Sequence, residues 1–207
     1  MRDDRIGLDR ILAFGDAVVA IAITLLALPL VDAALDAKTA TAFFHDHAFA
    51  LAAAAISFSS ISASWRSNHA VFRRATGYTE FVITLGMIWL ASIVALPIAT
   101  ALLVGGRSTD RLSLIVYLGV ITVTAGLTRV QHEVLARRGL LDGPAETTLE
   151  RVNGWLPVVL RLLAMLGSAL LPQFGLWTLI VLAPGQVFSW AVRLSRRRRQ
   201  AGTAPRS

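Results

Sequence analysis

Long apolar stretches alternate with short polar ones along this chain. Each apolar stretch is close to the roughly 20 residues that a helix needs to cross a bilayer core about 30 Å thick. The pattern predicts helices over residues 11–33, 43–65, 79–104, 111–133, 154–171 and 174–193. DAALDAKTATAFFHDH separates the first two, RSNHAVFRRATGYTE the next two, and GGRSTDR marks a turn where glycine and charge coincide. The polar stretch ARRGLLDGPAETTLERVNG follows the fourth helix, and LPQFG joins the last two as a tight antiparallel hairpin. Open strands leave backbone groups unpaired in lipid, so a helical bundle is the expected architecture. The fold class is thus an all-α membrane protein: six transmembrane helices in a single domain over residues 1–207, of which 194–207 form a basic cytoplasmic tail.

Composition agrees with the pattern. The chain is 55% hydrophobic and only 16% charged, too little charge for a soluble domain of 207 residues. It contains no cysteine, which excludes disulfides, thiol nucleophiles and iron–sulfur ligation. A formal net charge of +7 would suggest a nucleic-acid partner only on a soluble basic surface, and none is offered here. On a polytopic chain the charge reads as topology: about 16 Lys and Arg fall on the side shared by both termini and the loops at 66–74 and 129–151, against about 3 opposite (Lys38, Arg107 and Arg111). The expected location is the cell membrane, multi-pass, with both termini cytoplasmic. The tail RLSRRRRQ fits as a stop and a contact with anionic lipid. A secretory signal is the competing reading of the N-terminus, but MRDDRIGLDR is as acidic as it is basic and the apolar run after it exceeds a typical signal core. No internal repeat is evident.

The first predicted helix, within RILAFGDAVVAIAITLLALPLVD, is built with distinct faces. At about 100° per residue, Ile21, Leu25 and Leu28 fall within about 60° of one another, an aliphatic ladder flanked by Thr24. Ala13, Ala17, Ala20, Thr24 and Ala27 make a stripe of small residues, which lets helix backbones approach closely in lipid. Asp16 points about 140° away from Ile21, so the acid and the ladder serve different faces. A carboxylate inside a span calls for polar partners within the bundle, and a clamp role is preferred to ion or proton binding. Periodicity alone lets the ladder face lipid or a neighbouring helix.

These residues resemble the transmembrane protein 175 family of potassium channels, in a bacterial form. Arg10, Phe14, Asp16 and AIAITLLAL match the family's signature of an arginine followed by Phe-Ser-Asp and a small-aliphatic run ending in Thr-Leu-Leu; Gly15 stands where the family has serine. Trp65, Asn68, His69 and Phe72 are similar to its Trp-x-x-Asn-His-x-x-Phe arrangement, and LPIATALL at 96–103 to its Leu-Pro-Phe-x-Thr run, with Ile98 for phenylalanine. The resemblance implies a homotetramer whose first helices surround a central path for potassium ions, with no TVGYG filter. It maps the constriction to Ile21, further aliphatic layers to Leu25 and Leu28, and hydroxyls to Thr24. It also implies a buried cytoplasmic network of Arg10, Phe14, Asp16, Trp65, Asn68 and His69. Opening is then a rotation or dilation of the first helices that wets a dewetted constriction.

Other signals are weaker. Arg161, inside the fifth helix, is a rival partner for Asp16 or snorkels to the cytoplasm. Asp32 and Asp36 either draw cations to an outer mouth or solvate a loop. His45, Asp46 and His47 alternate on a short loop without the further ligands a metal needs, and His132 and Glu133 read as interfacial helix ends. No nucleophile and base are paired, so no enzyme, resident cofactor or metal is expected; the partners are further copies of the chain, potassium ions and membrane lipids. The competing classes are a secondary transporter, for which Pro29, Pro97 and Pro157 offer helix breaks with few charges beside them, and a non-conducting scaffold.

Overall fold

The computed structural model describes residues 2–105, 111–144 and 146–170. They form helices α1 (Arg2–Leu25), α2 (Leu28–Asp36), α3 (Ala40–Asp46), α4 (Ala48–Phe72), α5 (Glu80–Gly105), α6 (Arg111–Arg137) and α7 (Thr148–Leu170). Among the described residues the extended backbone amounts to one isolated bridge, Ala75 with Leu141. Among the described residues four segments are long and apolar enough to cross a membrane: Asp9–Asp36, Ala48–Phe72, Glu80–Gly105 and Arg111–Arg137. The predicted sixth helix, 174–193, and the basic tail, 194–207, lie outside the described residues.

The first expected span, 11–33, is two helices rather than one. Pro29 has no N–H to offer the Leu25 carbonyl, and its ring crowds the preceding turn. The chain tightens there: the Leu26 N–H donates to the Ile23 carbonyl at 3.3 Å and the Ala27 N–H to the Thr24 carbonyl at 3.1 Å, both three residues back. Pro29 then sits in the first turn of α2, where its missing N–H leaves nothing unpaired.

The second span, expected at 43–65, is displaced. Thr39 caps α3 by accepting from the Ala42 N–H, and His47, with φ −109° and ψ 18°, separates α3 from α4. α4 then continues through RSNHAVF to Phe72, a stretch read from its polarity as loop. Its Asn68 and Phe72 extend the buried line begun by Ser57 and Ile61, so the helical period persists although the residue types change.

α6 likewise outlasts its expected end at 133. Gly139, with φ +67°, stops it: the Leu140 N–H reaches the Leu135 carbonyl at 3.0 Å and the Gly139 N–H the Ala136 carbonyl at 3.1 Å. This is the Schellman closure, which only glycine enters without strain. α7 begins earlier than the expected 154, because TTLE is a capping box: the Thr147 hydroxyl accepts from the Glu150 N–H at 3.3 Å and the Glu150 carboxylate from the Thr147 N–H at 2.9 Å.

α5 is the hub, packed against α1, α4 and α6, while α7 lies on α6. Val19 and Ala22 of α1 and Leu26 just after it share one core with Trp89, Leu90, Ile93 and Leu96 of α5 and Tyr117, Leu118 and Ile121 of α6. Hydroxyls pin the helices where apolar packing cannot tell one partner from another. The Ser57, Thr100 and Tyr117 hydroxyls meet at 2.8 and 2.9 Å and join α4, α5 and α6. The Trp89 indole donates to Ser64 at 3.1 Å, and Thr124 donates to Ser92 at 2.9 Å.

Candidate functional site

α1 divides into two faces. Val19, Ala22 and Leu26 turn inward, at 3, 1 and 6% exposure. On the opposite side Phe14, Ile21 and Leu25 stand 53, 61 and 43% exposed, and beyond the turn Leu28 is 56% exposed. On a helix at about 100° per residue, Phe14 lies about 20° from Ile21, so one aliphatic and aromatic strip runs the length of α1. Thr24 is exposed beside it, and its hydroxyl donates to the Ile21 carbonyl at 2.8 Å. That bond consumes the hydroxyl's proton and leaves the oxygen's lone pairs facing outward.

Behind that face, Asp16 accepts a hydrogen bond from the Trp65 indole at 2.7 Å, tying α1 to α4. The Trp65 and His69 rings lie 5.4 Å apart at 33°. Asp16, Trp65, Asn68 and His69 line one cavity of about 40 Å³ between α1, α4 and α5, closed on the α5 side by Gly86 and Trp89. Gly15, where serine was expected, is within this wall; a Cβ there would meet Leu90 Cδ2 at 3.8 Å, an ordinary contact.

The expected network is brought together only in part. Asn68 does not bond to Asp16 but donates to the Gln131 side chain of α6 at 2.7 Å. Arg10 is exposed and Phe14 lies on the outer strip. Arg10 and Asp16 are six positions apart, hence about 120° apart around the helix, and within one protomer they do not converge. Arg161 is no partner of Asp16 either: it lines a separate groove, and among the described residues its guanidinium reaches only the Pro157 carbonyl of its own helix, at 3.5 Å. The His69 Nδ1 and Gln131 Nε2 atoms are buried without a hydrogen-bond partner.

A second polar cluster was not read from the sequence as such. His132 and Glu133, read from the sequence as interfacial helix ends, are 8 and 9% exposed, and Gln131 beside them is fully buried. Arg129 grips Glu146 with both guanidinium arms, Nη2 to Oε2 at 2.7 Å and Nη1 to Oε1 at 3.2 Å, and also donates to the Arg151 carbonyl. His132 Nε2 stands 3.4 Å from the same carboxylate. Glu133 pairs with Arg137 at 3.0 Å and Arg151 at 3.5 Å. The hydrogen bonds from Arg129 hold the Glu146 carboxyl below its ordinary pKa, and the Thr147 backbone N–H does the same for Glu150. One available signal was Gly154, whose missing Cβ would sit 2.6 Å from the Arg129 guanidinium carbon. The same end is tied by Arg74, which donates to the Asp142 carbonyl at 2.9 Å.

His45 and Asp46 form an exposed local pair at 3.0 Å, and His47 lies against Phe43. Asp32 and Asp36 are exposed on α2.

What the fold and this face define is a polytopic helical membrane protein whose N-terminal span carries an exposed aliphatic strip and is clamped from behind by an acid–indole bond. Residues 10–97, from α1 through most of α5, match the family described as endosomal/lysosomal potassium channel TMEM175. That is the family its motifs resemble. No curated protein matches the chain.

Proposed function

We propose that the protein is a potassium-selective channel: a homotetramer of six-helix chains in the cell membrane, with both termini cytoplasmic, in which four copies of the α1 strip enclose the ion path. The observation that carries this reading is the outward aliphatic face of α1 within the family-matched segment, with Ile21 61% exposed on the protomer while the opposite face is packed on α5. Lipid would satisfy that face equally, so the fourfold arrangement rests on the family. Four Ile21 side chains then form a constriction too apolar to hold water, with Leu25 and Leu28 as further layers. Thr24 suits a cation: its proton is engaged by the Ile21 carbonyl and its lone pairs are free to replace part of a hydration shell. Opening widens the ring, with the tight turn at Leu26 and Ala27 as the point where α1 bends against α2. The chemistry is passive permeation, without catalysis or a resident cofactor.

The test is flux from proteoliposomes loaded with potassium or sodium. The native chain is expected to leak potassium in preference to sodium. Ile21→Asn should raise potassium flux by roughly tenfold, the change given by a barrier lower by about 1.4 kcal/mol, and should blur the preference. No flux from either protein would overturn the channel; movement coupled to a proton or sodium gradient would make it a transporter.

A further inference from the structure

A groove of about 450 Å³ opens between α4, α6 and α7, on the far side of α4 from Asp16, and nothing in the ion path uses it. Its volume is within the range of small-molecule sites, about 300–1,000 Å³. Its charged lining is wholly cationic: Arg66, Arg129 and Arg161, with His132 beside them and no Asp or Glu among the lining residues. Arg129 is matched by Glu146, though its Nε is buried without an acceptor. Arg66 and Arg161 form no ion pair among the described residues.

The sequence sharpens this imbalance. No Asp or Glu occurs between Glu150 and position 207. A guanidinium held in a largely apolar helix without a counter-charge is expensive, and such residues generally mark a binding role. The groove lies at the end of the bundle that carries the basic loops, and its rim residues Arg66, Ser67 and Pro157 are exposed, so a ligand enters from the surface. A planar guanidinium fork matches phosphate oxygens two at a time.

We infer that this groove is a site for a phosphate-bearing anion, held by Arg66 and Arg161 and supplied either by the headgroup of an anionic phospholipid or by soluble phosphate. The ligand neutralises Arg161 and bridges α4 to α7.

The purified full chain is exchanged into neutral phosphatidylcholine, phosphatidylglycerol, or phosphatidylcholine with inorganic phosphate, and bound ligand is measured by native mass spectrometry beside the thermal midpoint. The native protein should retain phosphatidylglycerol, or inorganic phosphate, and gain stability with it. R66Q/R161Q should lower retention about tenfold, as loss of charge-assisted bonds implies, while R73Q/R138Q, equal in charge change but outside the groove, should not. Protection by inorganic phosphate alone identifies a soluble ligand; protection by phosphatidylglycerol alone identifies the lipid. R161Q removes an unpaired charge and should be no less stable than native protein in phosphatidylcholine; should it not fold, the exposed R66Q must by itself reduce retention. Equal losses in the two double variants, or no retention by the native chain, would overturn the site.

Discussion

Among single residues, Asp16 answers most directly why a span built for lipid carries an acid. It is half-buried in a wall of Ile11, Leu12 and Leu90, and its charge is met by the Trp65 N–H at 2.7 Å. A hydrogen bond to a charged group contributes about 1.5–3 kcal/mol, and a neutral one about 1. Asp16→Asn should therefore destabilise the folded chain by about 1 kcal/mol or more, and Trp65→Phe by a similar amount. Because both changes weaken the same hydrogen bond, the double variant should lose less than the two single losses added, with a coupling of about 0.5–3 kcal/mol. Asp46→Asn, on an exposed pair, should stay within about 0.5 kcal/mol. Thermal unfolding of the four variants in detergent measures this; additive losses would show that the 2.7 Å contact does not clamp α1 to α4. The sequence separated Asp16 from the aliphatic strip correctly by angle alone, because helical period is a local property. It could not show that Asn68 turns to Gln131 instead, since two amides 63 positions apart in the chain meet only through the packing of α4 on α6.

For the helices, apolar length predicted that spans exist and polarity misplaced their ends. The stretch RSNHAVF and the end of α6 read as loop because their side chains are polar, yet Asn68 bonds Gln131 inside the bundle and Arg137 pairs with Glu133, and pairing removes the penalty that polarity implied. Pro29 erred in the other direction: apolar neighbours concealed a break that proline imposes on the turn before it. Replacing it tests that cause. Pro29→Ala restores the N–H that the Leu25 carbonyl lacks, and should convert the three-residue bonds at Leu26 and Ala27 into regular helical ones. Amide hydrogen exchange at those positions should slow by roughly tenfold, as expected when about 1.4 kcal/mol is added to local opening. Potassium flux should fall with it if bending at this turn opens the path. Unchanged exchange would place the break elsewhere than in the proline.

Across the whole molecule, the described helices are fastened at one end by charge and in the middle by hydroxyls, a division that follows from solvent. Ser57, Thr100 and Tyr117 exchange neutral hydrogen bonds where a charge would be costly, whereas Arg129, Glu146, Glu133 and Arg151 pair where the bundle meets its basic loops. Glu146 makes that end pH-dependent, and the sign follows from its shift. Its folded pKa lies below the ordinary 4.5, so its stabilisation is fully present above that value and is lost as pH falls through the lower folded value. Near neutrality Glu146 itself should therefore add no pH dependence. Unfolding scans from about pH 7 to about pH 3 should show the native chain losing stability only on the acid limb, and Glu146→Gln should flatten the part of that limb that Glu146 contributes. At neutral pH the variant should be weaker by about 2 kcal/mol, less than for a fully buried pair because the Glu146 side chain is 25% exposed. An acid limb unchanged in Glu146→Gln would assign it to Glu150, whose carboxyl is also held below its ordinary pKa by Thr147. The Arg129 pairing would then be a contact that positions α7 without stabilising it.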